Sequence, residues 1–277
     1  MNLKIADYFG IPLYLNVLTI PFSIYIYHSR EDVGALALAI FFISLFFVLL
    51  HEYGHCFMAR WHNWHVLDIT ILPIGGVAQI HFKYDDPSEE LQVVLAGPAV
   101  NLFFVMLFLP LVVLAAYYDN PALAFVLSIP FIANTIILLF NLLPVFPMDG
   151  GRVLRALLSY KIGHERATWW AVRFGQISGF VLSMLCLYYG LWFAGFIFLL
   201  MMVVSQNELA SAKLVGCLHR IRIKVAWILN KPELNKADLP ELIAAIESVE
   251  DKELIEELQA EELLILLRDL KQSSISI

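Results

Sequence analysis

Two histidines and a glutamate lie close together in the stretch FFVLLHEYGHCFMAR, residues 46–60. If this stretch is helical, His51 and His55 are four residues apart on one face, so both imidazoles can reach the same point. That spacing is typical of histidines that bind a single zinc ion. Glu52, about 100° round the helix from His51, would lie beside the metal, where a carboxylate can act as a general base on water. The pattern predicts a zinc-dependent hydrolytic site.

The surroundings of this motif separate it from a chance match. An HExxH pattern is short and also occurs by chance on soluble surface helices, where it costs nothing. Here it lies in an apolar run that is otherwise typical of a lipid-facing helix. An ionisable side chain at the centre of a bilayer costs about 2.5–3.5 kcal/mol on insertion scales, so three of them need a paired or functional destination.

The composition is that of a polytopic membrane protein. The chain has 277 residues, of which 60% are hydrophobic and 16% charged, with a mean hydropathy of +0.74. These values lie outside the range of an ordinary globular domain. The three cysteines, Cys56, Cys186 and Cys217, show no CxxC spacing and indicate neither a disulfide framework nor a cysteine zinc site. Nothing in the sequence is typical of nucleic-acid binding.

Six apolar segments predict an all-α membrane bundle of about six transmembrane helices. The first is interrupted by Pro12 and Pro21, and the last is shorter than the ~20 residues that usually span a bilayer. The six predicted spans are residues 11–27, 33–58, 91–117, 122–145, 167–189 and 191–205.

A small membrane-associated β-hairpin is predicted between the second and third spans. Residues 65–73 and 76–82 are β-branched, partly alternating runs around a Gly75-Gly76 turn. Non-helical backbone at membrane depth is tolerated only where protein or water satisfies it. The hairpin therefore offers a strand edge beside the metal residues, to which an extended substrate segment could add. The alternative is a plain connecting hairpin at the membrane interface.

A third metal ligand is predicted where the fourth span ends. Pro144 and Pro147 break the helix there, and Gly150-Gly151 lets the backbone approach another element closely. Asp149 would be held rigidly between them. Two histidines and one carboxylate leave a fourth position open for water, as catalytic zinc requires.

Basic residues predict the orientation in the membrane. They follow the second, fourth and sixth spans, and the opposite side carries only Arg30. The basic residues are Arg60 and Lys83, then Arg152, Arg155, Lys161 and Arg166, then Lys213, Arg220, Arg222, Lys224 and Lys231. By the positive-inside rule, six spans with both termini in the cytoplasm fit this distribution. Residues 152–166 are predicted as a basic loop, with His164 as a solvated residue of that loop.

Three parts of the chain are predicted as domains. Residues 1–207 form the six-helix membrane domain, residues 208–231 a basic amphipathic segment on anionic lipid, and residues 232–277 a short acidic, helical cytoplasmic tail. The tail carries 12 acidic against 4 basic residues. Either it forms a small helical module that binds a regulatory protein, or it is a solvated acidic tail.

Three motifs together resemble the site-2 protease family of intramembrane zinc metalloproteases. They are HEYGH in one membrane helix, AGPAVN opening another and NLLPVFPMDGG ending a third, and the resemblance covers residues 11–205. It implies that His51, His55 and Asp149 bind one Zn²⁺ per chain and that Glu52 is the general base. It further implies an integral, multi-pass protein, typically of a prokaryotic cytoplasmic membrane.

The resemblance also assigns roles to three other residues and a class of substrate. Asn141 would position or stabilise the scissile carbonyl, and Gly75 and Gly76 would lie in a membrane-inserted β region that engages substrate. The substrate would be a membrane protein, cleaved in or near its transmembrane segment within the lipid bilayer. The sequence shows nothing like the PDZ insertion of some family members or a CBS domain after the last span, and the resemblance does not explain the acidic tail.

Two other functions fit parts of the pattern. A catalytically inactive relative would bind membrane helices as a scaffold, but His51, Glu52, His55 and Asp149 are all present. A metal transporter or sensor would need several ionisable residues along a path through the bundle. Outside those four residues the spans offer mainly Arg173. Both alternatives are therefore less favoured than the protease.

Overall fold

The computed structural model describes residues 2–29, 32–73, 75–81 and 86–229 as helices, one small sheet and their connections. Residues Met1–Glu208 form one compact unit. The predicted acidic tail, residues 232–277, lies outside the described residues. The elements are, in chain order, β1 (Asn2–Tyr8), β2 (Ile11–Asn16), α1 (Thr19–His28), α2 (Gly34–Trp61), β3 (His65–Leu72), β4 (Gly75–His81), α3 (Pro87–Tyr117), α4 (Pro121–Asn141), α5 (Asp149–Ile162), α6 (His164–Tyr188) and α7 (Trp192–Leu229).

Five helices among the described residues are long and apolar enough to cross a membrane. They are α2, α3, α4, α6 and the Trp192–Ala210 part of α7, with mean hydropathies from 1.4 to 2.6. Most of their apolar surface faces outward, since between 11 and 28% of each apolar window is buried inside the protein. Apolar side chains that face outward all round a bundle have lipid as their solvent. The prediction of a helical membrane bundle is confirmed at this level.

The predicted first span, residues 11–27, is not a helix. It consists of strand β2 followed by α1, and the ten residues of α1 rise only about 15 Å. β2 buries Ile11 and Leu13 on one face. The residues between and after them are also apolar as far as Leu15, so the run lacks the polar alternation of a half-buried strand and its pattern cannot be told from that of a helix. The count of six spanning helices is therefore not met among the described residues.

The four strands form one sheet in the order β1-β2-β3-β4. β1 and β2 pair antiparallel, β2 and β3 pair parallel with Leu13 opposite Ile69, and β3 and β4 form the predicted hairpin. Leu72 pairs with Gly75, so Gly75-Gly76 begins strand β4 and is not the turn that the sequence predicted. The sheet packs on α2 around a buried core that includes Ile11, Ile69 and Cys56.

The predicted basic loop, residues 152–166, is helical apart from Gly163, which separates α5 from α6. α5 begins at Asp149, and its inner face buries Arg155 and Ser159, four residues apart. Its basic side chains made it resemble a solvated loop, although its alternation of apolar and polar residues has the helical period. His164 is the first residue of α6, and 14% of its side chain is exposed. It is therefore not the solvated loop residue that the sequence predicted.

Candidate metal centre

Three side chains from two helices converge at one point inside the bundle. His51 and His55 lie one turn apart on α2, and Asp149 is the first residue of α5. The two Nε2 atoms are 3.1 Å apart, and they lie 3.0 and 3.2 Å from Oδ2 of Asp149. All three residues are buried, with 3 to 7% of their surface exposed. The predicted ligand set is thus brought together from positions 98 residues apart.

Helix α3 fixes the orientation of the His55 ring. Nδ1 of His55 lies 2.8 Å from the carbonyl oxygen of Val93, and both residues are buried. A carbonyl oxygen can only accept a hydrogen bond, so Nδ1 carries the proton and donates it. Nε2 of His55 consequently presents its lone pair to the point where the three side chains meet.

A chain of buried amides fixes the His51 ring in the same way. Asn134 donates from Nδ2 to the carbonyl of Pro130 over 2.8 Å, so its Oδ1 is left to accept from Nδ2 of Asn101. Oδ1 of Asn101 then accepts from Nδ1 of His51. This series of hydrogen bonds ends on a backbone carbonyl, which can only accept. The orientation of each side-chain amide in the series and the tautomer of His51 are therefore determined. Nε2 of His51 therefore also presents a lone pair.

Three electron pairs at such short range need a cation between them. An ionised carboxylate and two imidazole lone pairs about 3 Å apart repel one another unless a proton or a metal ion is shared. Ligands of a tetrahedral zinc ion lie about 3.3 Å apart, given zinc–nitrogen distances of about 2.0–2.1 Å. The donor set and its spacing fit zinc.

A glycine of α3 makes room for the two imidazoles. A Cβ atom at Gly97 would lie 2.8 Å from Nε2 of His51 and would collide with the ring of His55. Gly54 of α2 likewise lies against the backbone of α3, where a Cβ atom would lie 2.8 Å from the carbonyl oxygen of Ala96. Gly97 lies in the AGPAVN segment, one of the three motifs that resemble the site-2 protease family. The structure adds that Gly97 and Asn101 border the metal centre itself.

Glu52 connects the metal centre to the sheet. Its Oε2 accepts a hydrogen bond of 3.0 Å from the backbone amide of Ala78 in β4. A Cβ atom at Gly76 would lie 2.8 Å from Cγ of Glu52, so this glycine allows the strand to touch the side chain. Nothing lies within 4 Å of a Cβ atom at Gly75. Of the two predicted hairpin glycines, Gly76 is the one against the site.

Asn141 is the last residue of α4 and is half-buried. It lies eight residues before Asp149, and the connecting segment is tightly packed. Within that segment Phe146 is fully buried, and a Cβ atom at Gly151 would lie 3.0 Å from its backbone nitrogen. The role of Asn141 toward a substrate carbonyl stays a prediction.

The fold and the centre define a class. The protein is an integral membrane protein in which two helices bring together a buried His-His-Asp group that could hold a metal ion. The sequence model of peptidase family M50 matches residues 37–120 and 115–182, which together exceed half of the chain. The chain belongs to peptidase family M50. The predicted kinship with site-2 proteases is confirmed.

Known relatives agree with this assignment. The chain is 34% identical over 196 residues to a zinc metalloprotease of Methanocaldococcus jannaschii, which covers 69% of this chain and 54% of the relative. It is 30% identical over 124 residues to the stage IV sporulation protein FB of Bacillus subtilis, covering 44% of this chain and 41% of that protein. The chain thus spans about half the length of these curated relatives.

A solved structure shares the fold. The site-2 protease from Methanocaldococcus jannaschii superposes with a TM-score of 0.55 at 27% sequence identity. The match covers 76% of this chain and 95% of that chain. The arrangement of helices and sheet in this protein is therefore similar to that of a site-2 protease.

Proposed function

We propose that the protein is an intramembrane zinc metalloprotease that hydrolyses a peptide bond in or near the transmembrane segment of a membrane protein. The observation that carries this proposal is the convergence of three electron pairs from His51, His55 and Asp149, with Glu52 next to them on the same helix. In this proposal the three side chains hold one zinc ion per chain. Zinc so held would lower the pKa of water toward about 7 and polarise a carbonyl.

The protein's own groups would do the rest of the chemistry. Glu52 takes a proton from the attacking water at a carboxylate oxygen and later delivers it to the leaving amine. Val93 and Asn101 keep both imidazoles in the tautomer that a metal requires, because each accepts a hydrogen bond from an Nδ1 atom. Asn141 would donate to the oxyanion, as its place in the NLLPVFPMDGG motif implies.

Strand β4 would receive the substrate. A peptide bond in a transmembrane helix has its carbonyl hydrogen-bonded, so the substrate must unwind before it can be attacked. β4 is at an edge of the sheet, and the amide of Ala78 points to Glu52 instead of to β3. A substrate segment extended along this edge would bring its carbonyls to Glu52. This favours substrate engagement over a plain connecting hairpin.

The proposed orientation places the C-terminus and the turn between β1 and β2 on the cytoplasmic side. It does not keep the predicted cytoplasmic N-terminus, because Asn2 pairs with Asn16 at the opposite end of β2. β2 followed by α1 would supply the remaining crossing, because six strand residues and ten helical residues extend about 20 Å and about 15 Å, enough for a ~30 Å core. β2 is tolerable at membrane depth because β1 and β3 pair with both of its edges. A prokaryotic cytoplasmic membrane is the proposed location, and the acidic tail the proposed site for a regulatory protein.

Zinc content of the full-length protein in detergent is the first test. We expect about one zinc per chain in the wild type and its loss in both Asp149→Ala and His55→Ala, because each variant removes one of three ligands. A wild type without zinc, purified without chelators, would contradict the proposal and favour the inactive scaffold.

The role of Glu52 needs a second measurement. Glu52→Gln should retain zinc but lower cleavage of a membrane-embedded reporter substrate by at least about 10²–10⁴-fold, since positioned acid–base groups contribute that much. Retained cleavage would show that Glu52 is not the base. Zinc bound without any cleavage in the wild type, over a panel of single-span reporters, would instead support the metal-sensing alternative.

A further inference from the structure

A second buried polar cluster lies between α3, α5 and α7. Arg155 of α5 is 2% exposed and Glu90 of α3 is 1% exposed. Nε and Nη2 of Arg155 lie 2.8 and 2.6 Å from Oε1 of Glu90, and Nη1 lies 3.0 Å from Oε2 of Glu208 in α7. Two further residues lie at the edge of the cluster. Nη2 of Arg152 is 3.8 Å from Oε1 of Glu208, and Nδ1 of His164 is 3.9 Å from Oε2 of Glu90. The guanidinium thus contacts carboxylates on two other helices.

Two of the three helices that this cluster joins, α5 and α3, also border the metal centre. α5 begins at Asp149, and Arg155 follows six residues later, about 9 Å along the helix axis. α3 carries Val93, whose carbonyl orients His55, one turn after Glu90. The pair Glu90–Arg155 therefore fixes the helix that supplies the carboxylate relative to the helix that orients the imidazoles.

Arg155 also supports the segment that leads into Asp149. Its guanidinium carbon lies 5.4 Å from the centre of the Phe146 ring, and Phe146 is fully buried. Phe146 precedes Asp149 by three residues, and Arg155 follows it by six. One side chain therefore holds the chain on both sides of the carboxylate ligand.

We propose that Arg155 is a positioning residue of the metal centre, which through Glu90, Glu208 and Phe146 sets the place of Asp149 relative to His51 and His55. The proposal rests on the zinc site of the proposed function. The zinc affinity of such a site is sensitive to displacements of a fraction of an ångström, because zinc requires ligand atoms within about 0.2 Å of their proper distances. Without the guanidinium, Glu90 keeps a buried charge or takes up a proton, and in either case α5 loses its bond to α3.

An arginine suits this position better than a lysine would. Its planar fork places three nitrogens against two carboxylates at fixed angles, whereas lysine offers one ammonium group on a flexible stem. Arg155→Lys keeps the buried positive charge but cannot reproduce the bridge between Glu90 and Glu208. A comparison of Arg155→Lys with Arg155→Gln therefore separates the effect of the buried positive charge from the effect of the bridging geometry.

The experiment measures zinc affinity of the full chain in detergent by competition with a chelator, with zinc as the only ligand. The variants are Arg155→Gln, Arg155→Lys, Asp149→Ala and, as a matched control, Arg173→Gln. Arg173 is an exposed arginine of α6 whose Nη1 donates to Gln176 over 3.1 Å. Unfolding of each metal-free variant is followed in parallel, and the visible spectrum of the cobalt-substituted protein reports the ligand set.

We expect Arg155→Gln to weaken zinc binding at least tenfold and to change the cobalt spectrum, Arg155→Lys to weaken it at least threefold, and Arg173→Gln to leave it unchanged. A role in stability alone would lower the unfolding midpoint but leave the zinc affinity of folded protein as in the wild type, and that result overturns the proposal. If Arg155→Gln does not fold, the zinc affinity of folded Arg155→Lys, compared with the wild type, decides between the two roles. Wild-type affinity in Asp149→Ala would instead refute the zinc site itself.

Discussion

The two buried polar clusters of this protein differ in how their donors and acceptors balance. In the cluster of Glu90, Arg155 and Glu208 the arginine donates to both carboxylates, so each charge meets an opposite charge inside the protein. In the cluster of His51, His55 and Asp149 the donors of both imidazoles are directed away, and three acceptors meet. The first cluster is complete as it stands, whereas the second requires a cation.

This difference separates structure from function without reference to any relative. Burial alone would mark both clusters as candidate functional sites, since all the central side chains are largely buried. A polar cluster that is satisfied internally stabilises one arrangement of helices. A cluster that lacks a donor is costly until something is bound, and such a cost is characteristic of functional sites. The surplus of acceptors therefore marks the cluster of His51, His55 and Asp149 as the candidate metal centre.

The largest effect should come from removing one partner of the complete cluster. Glu90→Leu leaves Arg155 buried without its main partner, so we expect a loss of about 3–5 kcal/mol in unfolding free energy. His55→Leu in metal-free protein should cost about 1 kcal/mol or less, because it removes one hydrogen bond and relieves repulsion between lone pairs. Denaturation of metal-free protein in mixed micelles measures both. Equal losses would remove the distinction between the two clusters.

The next effect concerns the amide that orients His51. Asn101→Leu removes the acceptor that keeps the proton on Nδ1, so we expect zinc affinity to fall about 10–100-fold. Gln176→Leu is the control, since the Gln176 amide contacts Met202 and Ser205 of α7 and lies outside the site. Chelator competition gives both affinities. An unchanged affinity in Asn101→Leu would mean that His51 keeps its tautomer without this partner.

The smallest effect tests the contact between the sheet and Glu52. Gly76→Ala should lower cleavage up to about tenfold and leave zinc bound, because the added methyl group would lie 2.8 Å from Cγ of Glu52 and displaces the base without breaking the ligand set. Gly75→Ala meets no neighbour and provides the comparison, measured on the same reporter substrate. Equal losses in both variants would mean that the hairpin acts by binding substrate and not by positioning Glu52.

The convergence of the three candidate ligands could be predicted from the sequence because its signals are side-chain types at characteristic positions. His51 and His55 are four residues apart, and Asp149 lies between two prolines and two glycines. The partners that orient the ligands gave weaker signals. Val93 acts through its backbone carbonyl, which any residue could supply, and the effect of Gly97 depends on which helix faces it. Contacts of this kind are set by tertiary packing.

The same distinction between local signals and tertiary packing applies to the fold. Long uniform apolar runs identified α2, α3, α4 and α6 within a few residues, because length and hydropathy are local properties. Strand β2 was predicted as helix, since its apolar sequence reflects pairing with β3, more than fifty residues further along. α5 was predicted as a loop because Arg155 appeared to be a solvated charge. Its burial becomes evident only when Glu90 and Glu208 are brought beside it.

The position of β2 between β1 and β3 has a consequence for how the chain is made. A lone strand in hydrocarbon leaves its amides without partners, so β2 cannot settle at membrane depth by itself. Its partner Ile69 is synthesised 56 residues after Leu13, which takes about 3–11 s at ordinary rates of translation. On the proposed topology the N-terminal crossing is therefore completed only after α2 is already in the bilayer, and insertion does not follow the order of the sequence.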